Sequence, residues 1–434
     1  MRQKLLSEGV EELEYEIRNI VKKAEKLEKL GVEIQWENIG DPIQKNAKIP
    51  DWIKEIITDS IQDDKTFAYS HSKGNLDTRK YVAEQTNALG GVFLDAEDVL
   101  FFNGLGDAIA KMYQFLSPTS RIICPSPAYS THSSGEAAHA HKEPITYPLD
   151  PENDWLPNIE QLYLYVKYNP GIVGILIINP DNPTGMVYPK EVLMKIVAIA
   201  REFDLFIISD EIYNKITYNG AKAYALAEVI GGVPGIAMKG ISKEVPWPGS
   251  RCGWMEFYNR GEDIEFSRLC GALEDAKMVE VCSTTLPQIV LPKILGDSRF
   301  SSYRETENQK IGTRSKAVAK ILQDVPYITF NETFGAFYNT IVFKKEALKK
   351  GQFLKIEDEK IEGLVKTWVN NKTSLDKSFV YYLLGSKGVC VVPLSSFHSG
   401  LQGFRVTLLE NNPQTLQETF TIIRDAIVEY CESI

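Results

Sequence analysis

The residues best suited to chemistry stand where short apolar runs give way to polar turns. The run 174–178 passes into Asn179-Pro180-Asp181-Asn182-Pro183-Thr184-Gly185, whose prolines and glycine set a tight turn with the Asn182 amide at its edge. The run 205–209 ends at Asp210, and Tyr213 follows three residues on. An acid in that place is either a helix N-cap or a positioned carboxylate. The run 236–241 leads to Lys243 and, eight residues later, to Arg251, through a connection stiffened by Gly240, Pro246, Pro248 and Gly249. Ahead of these, the run 98–102 passes through Asn103, Gly104, Leu105 and Gly106 into a helix whose first amide groups could receive a phosphate. After the run 121–124, Tyr129 offers an aromatic face. Each signal is unspecific alone, since glycine turns, loop lysines and packed tyrosines are common.

The combination is specific. An amine, an acid, an amide, a phenol, an aromatic face and an anion site suit pyridoxal phosphate. Lys243 would form an imine with its aldehyde, and Asp210 would keep its pyridine nitrogen protonated. Asn182 and Tyr213 would hydrogen-bond its phenolic oxygen, and Tyr129 would stack on its ring. Arg251 and the helix start at Leu105 and Gly106 would hold its phosphate.

These groups need a frame that gathers the ends of several strands. Apolar runs alternating with helices, clearest at 190–203, predict an α/β fold with a mainly parallel, seven-stranded-type sheet flanked by helices. In such sheets, ligands collect at the carboxyl ends of the strands. Beyond about residue 296 the texture changes: a polar helix over 304–322, an antiparallel piece over 328–343, strands at 388–392 and 404–409, and a last helix over 413–430. Apolar positions three and four apart over 8–30 predict an amphipathic helix that ends at Gly31 and packs on this smaller α+β domain. The expected division is 1–50, joining the small domain; 51–295, the large cofactor-binding domain; and 296–434, the small domain. At 434 residues, two compact parts are expected in any case.

The segments NPDNPTG, SDEIY, GISK followed by PGSRCGW, and FRVTLLE resemble the class I/II aminotransferases of fold type I, over nearly the whole chain. The resemblance implies a pyridoxal-phosphate transaminase of L-amino acids and 2-oxo acids, a homodimer with shared active sites, and Lys243 as the Schiff-base lysine serving two ping-pong half-reactions. It implies that Arg405 clamps the substrate α-carboxylate, that Gly40 passes close to it, and that Tyr69 reaches the partner's phosphate. Gly240 departs from the pattern, since many members carry a phosphate-touching serine there. YEIRN, NIGDP and HSKG resemble the bacterial alanine aminotransferase branch, which favours alanine with 2-oxoglutarate and places Tyr15 near the substrate. Aspartate or aromatic donors, or C–S β-lyase chemistry on the same residues, remain alternatives.

Composition bounds the rest. A net charge of −10 argues against a nucleic-acid-coating protein. No apolar run approaches the length of a membrane span, the first residues lack a signal-peptide core, and six scattered cysteines suit a cytoplasmic protein with reduced thiols. His139 and His141 alternate as on an exposed strand face, and with no third ligand nearby no metal is expected. His71, His132 and His398 could border the substrate mouth, without an assigned role.

Overall fold

The computed structural model describes residues 5–6, 8–10 and 16–434. Its strands in chain order are β1 (Gln35–Trp36), β2 (Val99–Phe102), β3 (Arg121–Ser126), β4 (Thr146–Asp150), β5 (Leu156–Pro157), β6 (Ile172–Ile178), β7 (Phe206–Asp210), β8 (Gly235–Gly240), β9 (Gly253–Tyr258), β10 (Ile328–Phe330), β11 (Tyr338–Phe343), β12 (Val389–Cys390), β13 (Val392–Pro393) and β14 (Gly403–Thr407).

The large sheet has the order β2-β9-β8-β7-β6-β3-β4-β5. Strands β4, β3, β6, β7 and β8 pair in parallel, while β9 runs antiparallel to both β8 and β2. The expectation of seven strands is corrected to eight, because the two-residue β5 turns back along β4. The strands read as unbroken apolar runs because helices cover both faces. Ile175, Ile177 and Ile207 pack toward one side with Leu193, Ile196 and Val197 of the helix Lys190–Glu202. Leu176, Ile178 and Ile208 face the other, against Ala108, Ile109 and Met112 of the helix Leu105–Phe115 and Phe266 and Leu273 of the helix Ile264–Glu280. Register sets Ile178 opposite Asp210 and Asp210 opposite Met238, so the carboxyl ends of β6, β7 and β8 share one rim.

The second unit is a four-stranded antiparallel sheet, β10-β11-β14-β13, backed by the helices Ser298–Leu322, Leu375–Lys387 and Pro413–Cys431. Both ends of the chain enter it. The helix Glu16–Glu28 packs Ile20, Ala24 and Leu27 among Phe379, Leu383 and Ile423, and β1 pairs in parallel with β12. Of the expected helix over 8–30, residues 11–15 lie outside the described ones; Gly31 follows its end at a φ of 91°.

One local expectation fails. His139 and His141 are not on a strand: the helix Ser130–Ala140 carries His139, and His141 caps it in the left-handed region. Alanine and serine dominate STHSSGEAAHA, and the two-residue alternation of the histidines arises by chance within a helical stretch. His139 stacks on Tyr113, with ring centroids 5.8 Å apart, and burial lowers its pKa.

Candidate active site

Where the rim of the large sheet meets the second unit lies a cavity of about 300 Å³. The large-sheet side contributes Leu105, Gly106, Tyr129, Asn182, Asp210, Tyr213, Lys243 and Arg251; the chain ends contribute Gly40, Tyr338 and Arg405. A wider groove of about 1100 Å³ runs along residues 215–220 and 295–316, but it is open to solvent and gathers no comparable set of groups.

Asp210 is the last residue of β7 and is 3% exposed. Its Oδ1 accepts from the Ile212 amide at 3.1 Å, and its Oδ2 lies 3.0 Å from His132 Nε2. His132 is fully buried in the first turn of the helix that Tyr129 precedes. With the carboxylate ionised, Nε2–H is the donor, and the histidine fixes the direction of the acid. Sequence reading gave His132 no role, yet a signal was present: a histidine three residues after Tyr129 shares its helix face. The Tyr213 hydroxyl lies 3.0 Å from that of Tyr338, and burial pushes the Tyr213 phenol well above its ordinary pKa, so it keeps its proton.

Arg405 reaches in from β14. It is 3% exposed; Nη1 donates to Asn182 Oδ1 at 3.2 Å, Nη2 donates to the Asn38 carbonyl at 2.7 Å, and Nε has no partner. The Tyr338 ring lies 4.4 Å and the Phe397 ring 5.2 Å from its guanidinium carbon. Among the described residues, no carboxylate pairs with this buried cation. Such a charge is costly unless an anion answers it.

Lys243 sits in the connection between β8 and β9 and donates from Nζ to the Gly40 carbonyl at 2.6 Å. Gly40 leaves room for Tyr338: a Cβ there would lie 2.1 Å from the Tyr338 hydroxyl and force that ring to shift. At the opposite end, Arg251 adopts a φ of 49°, and Nη1 donates to the Pro248 carbonyl at 3.2 Å. Its guanidinium lies over Gly104, the N-cap of the helix Leu105–Phe115, where a Cβ would fall 2.5 Å from Nη2. A cation and the outward amides of a helix start thus occupy one corner. Gly240 has its own cause, because a side chain there would strike the Cys252 carbonyl at 2.9 Å.

One expected site residue stays outside this cavity. Tyr69 is 83% exposed and does not line it, and Tyr15 lies outside the described residues.

The family profile for aminotransferase class I and II matches residues 38–423. The chain belongs to the class I and II aminotransferases. It is 51% identical to an uncharacterized aminotransferase of Methanocaldococcus jannaschii over the full length of both. It is 31% identical to the glutamate-pyruvate aminotransferase AlaA of Escherichia coli, over 76% of this chain and 81% of that one. An alanine aminotransferase structure from Pyrococcus furiosus superposes with a TM-score of 0.84 at 27% identity, covering 98% of this chain and all of that one. The aminotransferase uses the family's cofactor, pyridoxal phosphate, and its cavity fits that group. A buried acid stands on the rim, an amine at the centre, and a cation with helix-start amides at one end. The volume lies at the small end of ligand sites.

Proposed function

We propose that this aminotransferase exchanges the amino group of L-alanine with 2-oxoglutarate in two half-reactions, with Lys243 as the residue that carries the cofactor. When bound, pyridoxal phosphate supplies an aldehyde that takes up the amino group and a protonated ring that draws electron density from the substrate Cα. The chain's own groups do the remainder. His132 holds Asp210, and Asp210 keeps a proton on the ring nitrogen. Asn182 and Tyr213 hydrogen-bond the phenolic oxygen, and Tyr129 covers the ring. Arg251 and the amides of Leu105 and Gly106 receive the phosphate. Lys243, the amine at this site, would also move a proton at the substrate Cα.

The observation that carries the substrate reading is Arg405. A buried guanidinium with an idle Nε and no acidic partner asks for a planar carboxylate, which arginine binds at two points. The alanine preference is supported by the two named relatives, a glutamate-pyruvate aminotransferase and an alanine aminotransferase. Tyr15 would border the substrate.

The division at residues 50 and 295, a cytoplasmic location and a homodimer belong to the same reading. All six cysteines are free thiols, and no helix among the described residues is long and apolar enough to cross a membrane. The dimer is supported by Tyr69, which stands clear of its own cavity beside exposed Phe67. The Thr285 hydroxyl ties this segment, through the Ala68 carbonyl, to the chain that follows exposed Val279 and Val281.

The decisive experiment is borohydride reduction of the cofactor-loaded protein followed by peptide mapping, then a panel of donors and acceptors. A label on Lys243 and alanine-dependent formation of glutamate from 2-oxoglutarate are expected. A label on another lysine, or pyruvate and ammonia released without any acceptor, would overturn the assignment.

A further inference from the structure

Tyr338 was given no role from the sequence, yet it meets three parts of the cavity. It opens β11, where register with β14 sets it opposite Thr407 and sets Thr340 opposite Arg405. The side chain is 2% exposed. Its hydroxyl lies 3.0 Å from that of Tyr213, its ring faces the Arg405 guanidinium at 4.4 Å, and its rim fills the space beside Gly40, whose carbonyl holds Lys243.

A phenol has one proton to give and two lone pairs to receive with. If Tyr213 gave its proton to Tyr338, Tyr213 would have none left to point into the cavity. If Tyr338 gives, the Tyr213 proton is free to turn inward, and the two hydroxyls form a chain in which each bond strengthens the next. The second arrangement leaves a donor facing an anionic oxygen. The ring does separate work: stacked on a buried guanidinium, it fixes the plane of Arg405 without supplying a competing negative charge.

We propose that Tyr338 is a positioning residue that turns the Tyr213 hydroxyl toward the cofactor's phenolic oxygen through its own hydroxyl and sets the plane of Arg405 through its ring. This inference rests on the role given to Tyr213 above, and the test separates the two.

Tyr338→Phe removes the hydroxyl and keeps the ring, Tyr338→Leu removes both, and Tyr213→Phe supplies the background for a double-mutant cycle. Two quantities are read: the dissociation constant of pyridoxal phosphate from the apoprotein, and the KM for the amino donor. Tyr338→Phe should weaken cofactor binding severalfold with KM within about twofold, and should cost nothing more when Tyr213 is already Phe. Tyr338→Leu should raise KM as well, by about tenfold or more. Equal losses from Tyr338→Phe in both backgrounds, or unchanged cofactor affinity where Tyr213→Phe alone reduces it, would overturn the role of Tyr338 and leave that of Tyr213 standing. A silent Tyr213→Phe would overturn both.

Discussion

Asp181 stands one residue before Asn182 and is wholly buried. Its Oδ2 accepts from both the amide and the hydroxyl of Thr184, while Oδ1 has no partner. Burial raises its pKa from 3.8 to about 7, with neighbouring Asp210 adding to the rise. The folded chain therefore keeps a proton there that the unfolded chain releases near pH ~4. Stability from this site is complete in acid and is lost as pH rises from about 4 to 7, by on the order of 4 kcal/mol at most. Asp181→Asn keeps the shape and removes the proton. Its melting temperature should fall less steeply between pH 5 and 8 than that of the parent, the buried Glu37, Glu211 and Glu244 still contributing a slope, and parallel pH profiles by calorimetry would refute the explanation. Arg405 gives the second prediction at this scale. Arg405→Ala should raise the KM for alanine by about a hundredfold or more, the loss expected when a buried charge pair is broken. An unchanged KM in steady-state kinetics would remove Arg405 from the carboxylate.

Among the elements, the ends of β6, β7 and β8 decide which side chains meet. These ends were legible because each is an apolar run stopped by a polar residue, and Asp210 and Asn182 stand where such runs stop. What stayed hidden depends on pairing between distant segments. Tyr338 is one aromatic residue in GAFY, and only the β11–β14 register shows that it lies over Arg405. His132 received no role because nothing in the chain near it names Asp210 as its partner, 78 residues away. The alternation of His139 and His141 imitated a strand because two histidines are too few to reveal a helical period. Gly240 was visible as a departure, but its reason was not, since the obstacle is the backbone of β9. Restoring a serine by Gly240→Ser should accordingly cost about 1–3 kcal/mol in urea unfolding, as overpacking does. No tightening of phosphate binding should accompany it, and a tighter cofactor affinity in titration would show that the rim has room for the hydroxyl.

For the whole molecule, the question is what covers the exposed apolar surface at Phe67, Tyr69, Met278 and Val279, which are 74%, 83%, 57% and 87% exposed. In the proposed dimer these groups would form part of the association surface. Val279→Asp should shift the sedimentation coefficient from dimer toward monomer and weaken cofactor retention with it, because Tyr69 would lose the neighbour it is meant to reach. A variant that stays dimeric, or a parent that sediments as a monomer, would set the shared site aside.

The path of residues 35–40 has a last consequence. Gln35 and Trp36 lie along β12, the Glu37 amide donates to the Cys390 carbonyl, and Asn38 receives Arg405, so the segment that leads from β1 to Gly40 is stitched to the same body that carries the arginine. The carbonyl that holds the amine and the guanidinium proposed to hold the incoming acid are thus tied to one body. A swing of that piece away from the large sheet would draw the Gly40 carbonyl from Lys243 and carry Arg405 out of the cavity in the same movement.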